Sequence, residues 1–388
     1  MDTQPKQILI LHGSAGFGHQ KAAEALAGAL AKRAPGVKID VRDALDYFPP
    51  WLKRLYAGIY LFLINRAPLV WGLNYTFFDC RLVAPVVDFA RRHLNGIMAR
   101  GLARTLLEEK PDVVFCTHFL SAEIIADLKR RRKFAGRSVT VITDFLVHRF
   151  WVFRETDLYA VATEKTKEAL VGMGIDAGRI AVTGIPVDAK FARTGDRSSV
   201  AARLGLRPDA FTVLLTSGGV GSGPMLEALR GVIAAGPRIQ IAVIAGRNEA
   251  FKAEAESIAR GRDNIKVFGF VNNMDEFMDA SDVIVGKGGG LTLSEALAKQ
   301  KIFFIISPVP GQEIHNAACL DALGASVWVR SLPELERRLK ELAENPALRE
   351  KYRQAIARVA RPDSASRVAE AGLALAEGQV PGTRGTSS

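Results

Sequence analysis

One histidine and three glycine clusters carry the residue types and spacing that can do chemistry. Gly13–Gly18, Gly218–Gly223 and Gly286–Gly290 each follow a short apolar run and open a helical stretch. A helix N-terminus presents unpaired backbone N–H groups and the positive end of its dipole, and glycine lets the backbone approach a phosphate closely. Each cluster therefore reads as a phosphate cradle or, with equal weight, as a tight βα turn that binds nothing. The spacing excludes two familiar sites. The first cluster is G-x-x-G-x-G rather than the G-x-G-x-x-G dinucleotide fingerprint. It is followed by His19-Gln20, so no P-loop lysine or magnesium-binding hydroxyl is in place. His19 opens the first helix, where the dipole disfavours the imidazolium form. A neutral imidazole facing a cleft suits a general base near neutral pH. A histidine that caps its own turn fits the position equally well. Asp144, at a strand end, either orients His148, contacts a substrate, or caps a turn. His118, at another strand end, reads as a hydrogen-bonding loop residue in preference to a pocket residue.

Strands and helices must hold these residues. Ile8–Leu11, a helix over about 19–33 ended by Pro35-Gly36, and Val37–Val41 form a β-turn-α-β unit, the building block of a parallel sheet. Asp112–Cys116, Val139–Thr143, Leu158–Ala162 and Ile180–Thr183 continue the strand series. Arg193–Ser199 reads as a linker, after which the alternation restarts with Phe211–Leu215, Ile239–Ala245, Ile265–Phe268, Val283–Val285 and Ile302–Ile306. The expected fold class is α/β, with two doubly wound Rossmann-like domains facing a central cleft. Their expected extents are 1–192 and 200–376, with 377–388 a disordered tail.

The 388-residue length suits two such domains, and 48% hydrophobic against 24% charged residues excludes whole-chain disorder. With 52 Lys+Arg against 41 Asp+Glu the net charge is +11, which favours nucleic acid, anionic lipid or phosphorylated substrates. Cys80, Cys116 and Cys319 form no CxxC pair, so neither a zinc knuckle nor a redox dithiol is indicated. There is no signal-peptide layout and no run of the roughly 18 apolar residues that span a bilayer. An intracellular protein is expected. Residues 50–81 crowd Trp51, Tyr56, Tyr60, Trp71 and Tyr75 beside Lys53, Arg54, Arg66 and Arg81. Such a segment sits at a bilayer interface or packs as a buried helix pair. The run Lys129–Lys133 either meets anionic headgroups or complements its own helix end.

The second half contains Lys287-Gly288-Gly289-Gly290-Leu291-Thr292-Leu293-Ser294-Glu295-Ala296-Leu297, then Pro308-Val309-Pro310-Gly311-Gln312-Glu313-Ile314-His315-Asn316. These segments resemble the donor half of family 28 glycosyltransferases, which use UDP-sugars. In the first half, Gly16-Phe17-Gly18-His19-Gln20-Lys21-Ala22-Ala23-Glu24-Ala25-Leu26 resembles the opening motif of monogalactosyldiacylglycerol synthases and bacterial processive diacylglycerol glucosyltransferases. Thr143-Asp144, Gly184-Ile185-Pro186-Val187 and Val267–Met274 match as well, so the likeness spans about 7–330.

The resemblance implies a GT-B enzyme with no metal and no cofactor beyond the UDP-sugar donor substrate. No DxD stands in a donor loop. It implies that His19 deprotonates an acceptor hydroxyl, with Asp144 beside it and Gly16, Phe17 and Gly18 closing over the reacting centre. Ser217, Gly218 and Gly219, with Lys287, Gly289, Gly290, Leu291 and Thr292, would face the diphosphate or sugar. Glu295 would take the ribose hydroxyls, Phe270 and Val271 the uracil, and Gln312, Glu313 and Asn316 the sugar. The implied reaction is inverting transfer of glucose or galactose to a lipid hydroxyl, with diacylglycerol first among acceptors, on the inner face of the cell membrane. Two alternatives stand beside it: a UDP-N-acetylglucosamine transferase using another lipid-linked acceptor, and a UDP-sugar-binding regulator without catalysis. Nucleic acid is not an expected partner, because the aromatics cluster with aliphatics instead of alternating along a basic sheet.

Overall fold

The computed structural model describes residues 5–14, 17–55, 58, 100–216, 218 and 224–379. The chain divides into two compact units, residues 1–189 with 363–388, and residues 190–362.

In the first unit, strands β1 (Gln7–His12), β2 (Lys38–Asp43), β3 (Val113–Cys116), β4 (Arg137–Val141), β5 (Leu158–Val161) and β6 (Ile180–Val182) form one sheet, ordered β2-β1-β3-β4-β5-β6. Every pairing is parallel. Near-continuous apolar strands are what a sheet covered on both faces requires. The alternation along β1 sorts its side chains to the two faces. Leu9 and Leu11 pack with Leu102 and Leu106 of α2 (Arg100–Glu109) and with Leu120 and Ile125 of α3 (Phe119–Arg130). Ile8 and Ile10 pack on the other face with Leu26 and Leu30 of α1 (Phe17–Arg33). Helix α4 (Glu164–Gly172) connects β5 to β6.

The second unit repeats the plan. Strands β7 (Thr212–Thr216), β8 (Gln240–Ile244), β9 (Ile265–Phe268), β10 (Val283–Gly286), β11 (Ile302–Ile305) and β12 (Val327–Trp328) are ordered β12-β11-β10-β7-β8-β9, again all parallel. Its helices are α5 (Arg197–Arg203), α6 (Met225–Ala234), α7 (Glu249–Ala259), α8 (Met274–Ala280), α9 (Gly290–Ala298), α10 (Gln312–Ala322), α11 (Leu332–Glu344) and α12 (Pro346–Val359).

Two features depart from the sequence reading. The stretch read as a linker, Arg193–Ser199, runs into α5. Arg197 is fixed there by a two-pronged pair with Asp282 at 2.6 and 2.7 Å, and Asp282 also accepts from the Thr212 amide at 2.8 Å. A bidentate pair of this kind suits an anchored helix start and not a flexible tether. The second departure is the end of the chain. Extending the second domain to 376 placed its last helix with the donor half, but α13 (Ser364–Ala376) belongs to the first unit. There Val368 and Ala369 join the core under Ile8, Ile10 and Phe115. Gly372 permits the seat, because a Cβ at that position would lie 2.2 Å from the Phe115 ring. The boundaries 192, 200 and 376 therefore give way to 189 and 363.

Candidate active site

The first unit gathers histidines at its strand ends. His19 is the third residue of α1 and stays partly exposed. Its Nδ1 lies 2.7 Å from the Thr117 carbonyl oxygen and 2.9 Å from Thr143 Oγ1. A carbonyl can only accept, so Nδ1 carries the proton and Nε2 carries the lone pair. Thr117 Oγ1 donates in return to the His19 carbonyl at 2.9 Å. The ring is thus tied to β3 and β4 rather than capping its own turn. Burial pushes the pKa of His19 down to about 4. The bond to the Thr117 carbonyl opposes this and the neighbouring His12 adds to it. The direction favours a neutral imidazole at neutral pH, with burial as its largest cause.

His118 stands edge-on to His19, with ring centres 4.8 Å apart at 86°. Its Nδ1 accepts from the Leu120 amide at 3.2 Å, capping α3, which is the local hydrogen-bonding role the sequence favoured. Burial holds His118 well below the usual histidine range. His148 likewise accepts from the Phe150 amide at 3.2 Å, opening a single 3-10 turn at Arg149–Trp151. Asp144 is half-buried, three residues past β4. Phe17 is exposed at the start of α1. Gly16 lies outside the described residues.

Sequence reasoning missed His12, Thr117, Thr143 and Asp43. His12 ends β1, and its buried Nδ1 has no hydrogen-bond partner. Burial lowers its pKa, with the Asp43 carboxylate opposing. Asp43 accepts from the Ser14 amide at 3.2 Å, the Leu45 amide at 2.9 Å and Lys53 Nζ at 2.9 Å, pinning the first glycine turn to the start of the aromatic segment. Burial would raise the Asp43 pKa, but those donors hold it below the usual carboxylate range. The signal in the sequence was position, since all four lie at or just beyond the carboxyl end of a strand, where parallel sheets place their sites, together with the family match of the Thr143-Asp144 pair.

In the second unit the informative contrast is how the helices begin. Helices α5, α7, α11 and α12 start on side-chain caps from Asp196, Asn248, Ser331 and Asn345. Helices α6, α9 and α10 follow the adjacent strands β7, β10 and β11. They start on Pro224, Gly289 and Gly311, with no side-chain cap. Seven-residue α8, after edge strand β9, also lacks one. Helix starts without side-chain caps at three neighbouring strands are the kind of arrangement that can take an anion, although at α10 the Ile314 amide is already bonded to the Val309 carbonyl at 3.3 Å.

The turn before α9 is pressed against the start of α10. A Cβ on Gly288 would lie 2.9 Å from the Glu313 carbonyl oxygen, and Asn316 Nδ2 donates to the Gly288 carbonyl at 3.1 Å. Asn316 is fully buried, and this bond braces the turn. Glu313 Oε2 accepts from the Val309 amide at 2.8 Å, which occupies one carboxylate oxygen in its own loop. Burial lowers the Lys287 pKa, while the Glu313 carboxylate raises it. Gly289, Leu291, Thr292, Glu295 and Gln312 are half-buried around the same turn, with Gly290 buried at the start of α9. Phe270 is 51% exposed, and the Arg247 guanidinium lies 4.9 Å from its ring centre. Val271 follows, half-buried. Of the second glycine cluster only Gly218 is described, in the left-handed region at φ 73°; Ser217 and Gly219 lie outside.

Among the described residues no helix is long and apolar enough to cross a membrane, and no cluster of three metal-binding side chains occurs. Most of 50–81 lies outside them, but Trp51 and Leu55 are exposed, at 66% and 49%. The basic run is largely neutralised: Lys129 pairs with Asp157, Arg130 with Glu155 at 2.7 Å and Arg131 with Asp127 at 2.8 Å.

Residues 19–187 match the monogalactosyldiacylglycerol (MGDG) synthase family, and residues 212–368 match the glycosyltransferase family 28 C-terminal domain. A processive diacylglycerol beta-glucosyltransferase of Bacillus cereus is 30% identical over 381 residues, covering 96% of this chain and 95% of its own. The Bacillus cytotoxicus enzyme of the same name is 29% identical, covering 95% of this chain and 94% of its own. MurG of Acinetobacter baumannii shares the fold at TM-score 0.61 and 15% identity, covering 95% of this chain and 99% of its own.

Proposed function

Because the chain belongs to the monogalactosyldiacylglycerol synthase and processive diacylglycerol glucosyltransferase family, with a glycosyltransferase family 28 C-terminal domain, we propose that it is a UDP-sugar-dependent hexosyltransferase. It moves glucose or galactose from the UDP-sugar to a lipid hydroxyl, with 1,2-diacylglycerol the leading acceptor. The acceptor O–H donates to His19 Nε2. As the proton passes to that nitrogen, the acceptor oxygen forms a bond to the anomeric carbon, and the bond to UDP breaks with its electron pair leaving on the diphosphate. A single displacement inverts the centre and gives a β-glycoside. Negative charge brought by the diphosphate raises the basicity of an imidazole at the reacting centre, which offsets a resting pKa of about 4.

The donor side needs no resident metal in this reading. The open starts of α6, α9 and α10, with Lys287, take the diphosphate. Glu295 accepts from the ribose hydroxyls, since a carboxylate accepts two hydrogen bonds and donates none. Phe270 and Val271 hold the uracil, and Gln312 and Glu313 the hexose. Asp144 lies on the acceptor side. Trp51 and Leu55 suit peripheral contact with the inner membrane leaflet.

The observation that carries the reading is the Nδ1–H bond to the Thr117 carbonyl, which leaves Nε2 as the base. Mass spectrometry of lipids after incubation with each UDP-sugar and each acceptor tests it. A β-hexosyl-diacylglycerol is the expected product. Transfer confined to UDP-N-acetylglucosamine and another lipid acceptor would replace the substrate assignment, and tight UDP binding with no transfer would contradict catalysis.

A further inference from the structure

We infer that Thr143 is a positioning residue for the base: its hydroxyl and the Thr117 carbonyl together hold the Nδ1 proton of His19, so that Nε2 is the nitrogen left for the acceptor. The inference rests on the reading of His19 as the base. Two neighbouring strands each supply one oxygen to one nitrogen. Thr117 directly follows β3 and Thr143 lies two residues past β4, and these strands pair in register, Cys116 with Thr140. Both threonines are buried, at 0% and 6% exposure. The Thr117 amide is itself held by the Leu11 carbonyl at 2.9 Å, and the Ile142 amide beside Thr143 by the Ala160 carbonyl at 3.0 Å. Neither oxygen can drift far without breaking the sheet.

The chemistry assigns Thr143 its direction. Nδ1 already bears a proton for the Thr117 carbonyl, so Thr143 Oγ1 is an acceptor at the same nitrogen, in a shared bond. An imidazole whose Nδ1–H is claimed twice is locked in one tautomer and one ring orientation. The usual orienting partner of a catalytic histidine is a carboxylate. Among the described residues the two hydrogen-bond partners of His19 Nδ1 are neutral oxygens. They fix the ring and favour the imidazolium as it forms, but neither takes the proton away. An isolated hydroxyl buried at this spot for packing alone would not need to face a ring nitrogen.

Thr143→Val keeps the branched shape and removes the hydroxyl; Thr143→Ser keeps the hydroxyl. The valine variant is expected to lower kcat/KM about tenfold, a loss typical of one hydrogen bond. Its UDP affinity should not change, and the acid limb of its pH profile should move to lower pH, because an acceptor of the imidazolium is gone. The serine variant should restore both. A purely structural role predicts a lowered melting temperature with the limb unmoved and would overturn the inference. Nitrogen-15 NMR of the wild-type histidines gives an answer independent of any variant's folding. A pyridine-like Nε2 on His19 is expected, and a pyridine-like Nδ1 would overturn the assignment. His19→Ala separates the two levels. If it keeps turnover, the reading of His19 as base fails; if it loses turnover while Thr143→Val matches wild type in rate and limb, only the Thr143 inference fails.

Discussion

The two units solve opposite electrostatic problems with the same sheet. At the carboxyl ends of β1, β3 and β4 the first unit collects histidines and threonines, buries all of them but the partly exposed His19, and disfavours the charged form of its imidazoles. Burial lowers His12, His19 and His118 together. At the carboxyl ends of β7, β10 and β11 the second unit leaves helix starts without side-chain caps, with Lys287 beside them. In the proposed reading one surface holds a lone pair and the other meets negative charge. A parallel sheet leaves the choice to a few residues at its strand ends: side chains that reach back across the sheet in one unit, glycines that expose backbone in the other.

Substitutions on the two sides should therefore separate turnover from nucleotide affinity. The largest effect belongs to the first unit: His19→Ala should lower kcat by 10²–10⁴-fold, the usual worth of a general base, with the UDP dissociation constant within about twofold of wild type by calorimetry. In the second unit, Gly288→Val drives a side chain toward the Glu313 carbonyl 2.9 Å away. UDP affinity should fall at least tenfold, with a stability loss of order 1–3 kcal/mol in thermal melts. Glu295→Gln should weaken UDP about tenfold by removing a charged acceptor, and leave the pH dependence of turnover in place.

A last effect is on stability. His12, His19 and His118 have folded pKa values below 6.5, so below pH 6.5 the unfolded chain takes up protons that the folded chain refuses. Stability therefore falls as pH drops from 6.5 toward 4. His118→Asn, which can still cap α3, should flatten that decline in melting temperature measured against pH.

Much of this architecture was legible because it is local. Ile8–Leu11 and Ile302–Ile306 are apolar runs bounded by turns, and they became β1 and β11. The glycine clusters and His19 declared themselves by composition. What stayed hidden depends on contacts between distant residues. The clasp on His19 comes from positions 98 and 124 residues away, and a threonine at a strand end looks like any other. The destination of α13 was hidden for the same reason. Ser364–Ala376 is an ordinary amphipathic helix, and the packing of Val368, Ala369 and Gly372 against Ile8, Ile10 and Phe115 shows which sheet it covers. The bond from Asn316 to the Gly288 carbonyl was hidden in the same way, because it joins two turns 28 residues apart.

The central claim is that His19 enters the reaction as an already neutral base, and the pH profile of kcat/KM for lipid glycosylation tests it most directly, since that ratio reports the free enzyme. The account predicts a profile that stays level from pH 8 through 6.5 and loses its acid side only toward pH 4. Half-maximal activity at pH 6.5, abolished in His19→Ala, would show a solvated, ordinary histidine and contradict it.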